Sequence, residues 1–130
     1  MLTRRAALTL RLHATFLFFL AIALLVQPQV VLQFMGVDPA VVTDELTWSL
    51  RLTGSMTLLP ALLAPLTAAF AGERGLRQVG AGMAAISLCV GAVTLIAPIG
   101  FTAGKILVAA LWFVFAGLYF FALRGRGRNR

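Results

Sequence analysis

Two positions in this 130-residue chain hold ionisable groups where the neighbouring residues are otherwise apolar or small. The first is Arg51, the only charge between Leu46 and Phe70. Behind it Gly54, Thr57, Ala61, Ala64 and Ala68 follow at alternating steps of three and four. That spacing lines the small residues along one helical seam, with Arg51 three residues ahead of it on the same face. Asp44 stands seven residues before Arg51, two turns away on that face. A guanidinium on a packing seam is expensive without an acceptor and brings five donors to satisfy. Arg51 is therefore expected to reach Asp44, an anionic lipid headgroup or ligand, or a partner's carboxylate. The competing reading is an arginine that snorkels to the interface.

The second position is His13, the only histidine. One axial imidazole is enough to hold a haem or a chlorophyll-type pigment. The simpler reading is an interfacial histidine partnered by water, a backbone carbonyl or a headgroup. Lys105 lies well off the sparse small-residue seam of its helix and is expected to snorkel. By that logic Arg51→Leu weakens the bundle and Lys105→Leu does little. Cys89 is the single cysteine, which excludes an intramolecular disulfide and a cysteine metal cluster, and it reads as inert packing. No HExxH, GxSxG, P-loop or CxxC pattern occurs, so no catalytic residues are expected, and no metal site.

The elements that carry these residues are apolar. With 61% hydrophobic residues, 12% charged ones and a mean hydropathy of +0.98, the chain has too much apolar surface for a soluble domain of this size. The expected fold is all-α, a single integral-membrane bundle of four transmembrane helices over about 8–26, 46–70, 76–97 and 101–123, followed by a basic tail, 124–130. The N-terminal basic and apolar run resembles a signal peptide, and TRRAAL resembles a twin-arginine signal with Ala21-Ile22-Ala23 as a cleavage site. Arg11 and His13 interrupt its apolar region, so it is read as a retained first span, with Ala7, Ala14 and Ala21 as its small-residue seam.

Between the first two spans, Pro28 opens a short helix that Gly36 ends, expected to lie in the membrane interface with Val30, Val31, Phe34 and Met35 on its apolar face. Asp38-Pro39 and Thr43 are two further helix starts. Pro60 and Pro65 in the second span free the carbonyls of Met56 and Ala61 and mark a kink. The third span repeats the small seam at Gly80, Ala84, Ser87, Gly91 and Thr94. Two like seams joined by a short turn predict an antiparallel hairpin of spans two and three. The fourth span has an aromatic end, where Tyr119, Phe120 and Phe121 are expected to meet headgroups.

The net charge of +7 comes from 11 basic and 4 acidic residues. Nine of the basic residues lie at the N-terminus, in the 72–78 turn or in the tail, beside apolar runs, which excludes nucleic acid as the partner and makes membrane lipids the expected one. The positive-inside rule then puts both termini in the cytoplasm of a multi-pass protein of the cell inner membrane.

A proline after the first span (Pro28), the LQFMG that follows (Leu32–Gly36) and the RLTG opening of the second span (Arg51–Gly54) resemble small bacterial four-helix membrane proteins of the DoxX-like kind. Members with redox roles carry cysteines or catalytic groups that this chain lacks, so the resemblance implies a fold and no activity. The expected function is a non-catalytic accessory or assembly subunit that packs against other transmembrane subunits of a larger complex, of respiratory or photosynthetic type. The alternatives are a homo-oligomeric small transporter or channel, which would normally need intramembrane acids that no span contains, and an enzyme acting on lipids.

Overall fold

The computed structural model describes residues 2–124 and is all-helical. Its helices are α1 (Leu2–Val26), α2 (Pro28–Met35), α3 (Asp44–Phe70), α4 (Glu73–Ile96) and α5 (Ala103–Leu123), with a 3-10 turn at Pro39–Val41. By length and composition α1, α3, α4 and α5 are able to cross a membrane. Residues 125–130 of the basic tail lie outside the described residues.

The starts and stops follow the local chemistry of the sequence. Pro28 occupies the first turn of α2, and Gly36 ends it in the left-handed region at φ 90°. Asp38 Oδ1 accepts the Ala40 N–H at 2.9 Å, and Thr43 Oγ1 accepts the Leu46 N–H at 3.2 Å. Asp44 and Glu45 then sit in the first turn of α3, where the helix dipole favours negative charge. α3 runs without a break through Pro60 and Pro65. In α2 it is Pro28 and Leu32 that turn inward, while Val30 and Phe34 are exposed.

The pairing of the long helices differs from the expected hairpin. α1 packs along α3, and α4 packs along α5, while α3 and α4 scarcely touch although only Ala71 and Gly72 separate them. Each small seam accepts the bulkier row of another helix. Gly54 lies against the Ala21 carbonyl and the side chains of Leu24 and Leu25 of α1. Gly91 takes the Phe113 ring and Gly80 the Leu123 side chain, both from α5. Matching a groove to a ridge fills space better than matching two grooves, and that decides the pairing.

α1 is the hub. It touches all the other long helices and buries the largest share of itself. Ala6, Leu10 and Ala14 meet Ala64, Leu76 and Tyr119 in one core cluster, and Leu17 meets Ala61 and Trp112 in a second. The paired helices run antiparallel, so the N-terminus of α1 and the C-terminus of α5 lie at the same end of the bundle.

At the opposite end α2 crosses the start of α5. Thr102 Oγ1 donates to the Met35 carbonyl at 2.8 Å, and Gly104 lies directly against the Phe34 backbone carbonyl. A β-carbon at Gly104 would overlap that carbonyl, which belongs to a helix and not to a flexible side chain. Gly104→Ala is expected to lower stability by about 1–3 kcal/mol through overpacking. Gly117→Ala, where a β-carbon meets nothing, is expected to be neutral or to raise stability by up to about 1 kcal/mol. Thermal unfolding of both variants in one detergent compares them, and equal midpoints would contradict the close α2–α5 contact.

Candidate functional site

His13 stands near the middle of α1 because that helix begins at Leu2, six residues before the expected start. The exposed side chains of Arg4 and Arg5 let the helix continue past the apolar run. The histidine is therefore not close to a helix end. It is 0% exposed, and so is Tyr119 of α5. His13 Nδ1 and the Tyr119 hydroxyl are 3.0 Å apart and share a hydrogen bond. Tyr119 thus points into the bundle and not to a headgroup layer, while Phe120 and Phe121 remain exposed.

Aromatic rings hold the imidazole in place. Phe115 stacks on it with centroids 4.3 Å apart and planes 13° apart. Trp112 meets it edge-on at 5.5 Å, and Phe16 lies 6.3 Å away on its own helix. Trp112, Phe115 and Tyr119 recur at steps of three and four, so one face of α5 delivers all three. With Nδ1 engaged by Tyr119, Nε2 is left fully buried with no hydrogen-bond partner among the described residues.

The same ring borders a cavity of about 360 Å³ in the bundle. Leu17, Leu20 and Leu24 of α1 line it, together with Thr53, Thr57 and Pro60 of α3. Met83, Ile86 and Val90 of α4 and Trp112 of α5 complete the wall. The cavity exists because α3 and α4 diverge, leaving α1 exposed between them. The Thr53 and Thr57 hydroxyls donate to the carbonyls of Ser49 and Thr53, at 2.9 and 2.7 Å. No charged residue lines the space.

Arg51 lacks the expected contact with Asp44, and Lys105 lacks the expected exposure. Arg51 is exposed, and no ion pair joins it to Asp44 among the described residues. The seam on which it lies is real, but the partner helix ends too soon. Gly54 already faces Ala21 and Leu24, and α1 stops at Val26, so Arg51 lies beside the α1–α2 connection in a shallow groove with Gln27 and Gln29. Asp44 is exposed as well and borders a neighbouring groove with Arg51 and Trp48. The only ion pair among the described residues joins Arg77 to Glu73, four residues apart on α4.

Lys105 is 1% exposed and does not snorkel. Its Nζ donates to the carbonyls of Ala97 and Ile99, each at 2.8 Å, and lies 4.7 Å from the centre of the Phe101 ring. The end of α4 leaves carbonyls without helical partners and carries the negative end of the dipole. The lysine folds back from α5 onto the turn that follows α4, bringing its charge to that end of the helix. The signal was present in the spacing, because Lys105, Ala109, Trp112, Ala116 and Tyr119 step by four and three along the buried face. Cys89 is exposed on α4 and is not packing.

No protein-family model matches the chain, and no curated protein or solved structure matches it either. The DoxX-like layout therefore rests on the residues quoted for it alone.

The two basic residues now carry opposite expectations. Lys105→Leu removes two charge-assisted hydrogen bonds and is expected to cost about 2–3 kcal/mol. Arg51→Leu, at an exposed site, is expected to cost about 0–1 kcal/mol. Thermal unfolding in a common detergent decides between them, and a larger loss for Arg51→Leu would reverse the assignment.

Proposed function

We propose that this protein is a non-catalytic four-span membrane protein that holds an uncharged lipophilic molecule within the bundle. The observation behind this reading is the buried, unpartnered Nε2 of His13 beside an apolar space of about 360 Å³. That volume falls within the range of small-molecule sites, which are mostly apolar with few polar groups. Thr53 and Thr57 keep acceptor lone pairs but have already donated their protons, so the lining favours neutral molecules. The divergence of α3 and α4 supports entry sideways from the bilayer.

Gentle purification followed by solvent extraction and mass spectrometry tests the reading. The native protein is expected to carry a neutral lipophile at close to one per chain. Val90→Phe, which builds a ring into the cavity wall, is expected to lose it while keeping its thermal transition. Identical extracts from the two proteins would defeat the proposal.

An accessory role in a larger complex is the second reading. It is favoured by α3 and α4, the least buried of the long helices, which leave a long apolar surface free for another subunit's transmembrane helix. Co-elution of a second membrane protein in mild detergent supports it, and recovery of this chain alone counts against it.

In either role we place both termini in the cytoplasm of an inner-membrane protein. Arg4, Arg5, Arg74, Arg77 and Arg124 are exposed at the end where the termini meet, and that bias supports the orientation. In a Cys89→Ser background, Asp38→Cys is expected to react only with reagent supplied from outside the cytoplasm. Labelling from the cytoplasmic side alone would invert the topology.

A further inference from the structure

The His13–Tyr119 pair fixes more than the position of a ring. A neutral imidazole carries one proton, on either Nδ1 or Nε2, and the other nitrogen accepts. No carboxylate bonds to this ring, and the aromatic enclosure gives a charged form no compensation, so the neutral form is the one to consider. Two arrangements satisfy the 3.0 Å contact. If Nδ1–H donates to the tyrosine oxygen, the Tyr119 proton is left without an acceptor inside the bundle. If the Tyr119 hydroxyl donates to Nδ1, one bond serves both groups, because the hydroxyl has no other acceptor among the described residues. Each arrangement leaves one buried donor unpaired, but the first also leaves the Nε2 lone pair unused and relies on the weakly accepting phenol oxygen. The second joins the more acidic O–H to the more basic ring nitrogen, so the second prevails. The proton of His13 then sits on Nε2, where the structure provides no acceptor.

From this we infer that the cavity recognises its ligand through a carbonyl oxygen that accepts a hydrogen bond from His13 Nε2–H, reached by a small side-chain shift because that nitrogen is covered here, and selected through the tautomer that Tyr119 imposes. The inference rests on the cavity reading above and adds the chemical class, a neutral lipophile with an acceptor oxygen and no need for a counter-charge. Quinones, aryl ketones and ester carbonyls share this chemistry. A metal-centred pigment does not. Axial ligation needs the Nε2 lone pair, hence the opposite tautomer and an orphaned tyrosine proton. Tyr119 is a positioning residue in this arrangement, and His13 makes the contact.

Because His13 is the only histidine, protein labelled with 15N-histidine and prepared with a histidine-free tag gives one pair of ring signals. We expect a protonated Nε2 and an unprotonated Nδ1 in the native chain. In Tyr119→Phe that preference is lost, a change that a purely structural tyrosine would not produce. Ligand class is read with benzophenone, a neutral carbonyl compound that crosslinks to nearby C–H bonds under light, such as those of Met83 on the wall.

Diphenylmethane has the same two rings without the oxygen. It is expected to displace benzophenone about tenfold or more less effectively than unlabelled benzophenone does, the cost of leaving the N–H unpaired. In the double variant His13→Phe/Tyr119→Phe the two competitors should become equal. An unprotonated Nε2, equal competition in the native chain, or a haem titration showing His13 as axial ligand would overturn the inference while leaving the cavity reading intact. Binding of neither compound by the native chain would defeat both.

Discussion

Lipid offers no hydrogen bonds, so a polar group that enters a membrane-spanning bundle must find its partner within the protein. The structure follows that constraint closely. Along the helices Thr9, Thr15, Thr53, Thr57, Ser87 and Thr94 each donate to the carbonyl four residues earlier. Such back-bonding hides the hydroxyl at little cost and leaves the helix intact. Lys105 meets the same demand over a longer reach, donating to the carbonyls of Ala97 and Ile99 in the turn between α4 and α5. Against this pattern one buried side-chain nitrogen stands without a partner among the described residues, His13 Nε2. It is the exception that the constraint makes informative.

The constraint also accounts for the shape of the bundle. Polar groups settled within their own helices leave van der Waals fit as the force that pairs helices in lipid. α1 offers leucines and α5 offers aromatic rings, so each small-residue seam is filled by one of them and neither seam needs the other. α3 and α4 are then held apart by the helices they serve, and the space between them cannot close without giving up those fits. The cavity beside His13 is the geometric remainder of two well-made pairs.

Much of this could be read before folding, where the signal was local. The four long apolar helices, the proline start and glycine stop of α2, and the caps at Asp38 and Thr43 depend on residues within a few positions of one another. Both small seams were legible as packing faces for the same reason. Their partners were not, since a seam's spacing says that something packs there and not which ridge fits it. Arg51 makes no ion pair with Asp44, and its seam outruns the partner helix, a matter of where α1 ends. Lys105 is buried although it lies off the small residues of α5, because those residues alone do not mark the packed face. The full 4-3 register, Lys105 to Tyr119, mixes small and aromatic residues and places the lysine inside. His13 and Tyr119 are 106 positions apart, and nothing in either neighbourhood announces the other.

The cavity's lining also bears on the transporter reading. An ion that moved into this space would exchange its hydration for one N–H, two threonine oxygens and a wall of leucine, methionine and tryptophan. Transfer of an unpaired charge into such surroundings costs tens of kcal/mol by simple solvation arguments, and proteins avoid it by supplying a counter-charge. None is available, because Asp38, Asp44, Glu45 and Glu73 are all exposed and lie in the connections or at helix starts. A neutral lipophile faces no such penalty. It leaves lipid for a wall equally apolar, so hydrophobic transfer contributes little, and one satisfied N–H becomes the main source of discrimination. A site of this kind separates molecules by whether they present an acceptor oxygen at the right point, and hardly at all by how greasy they are.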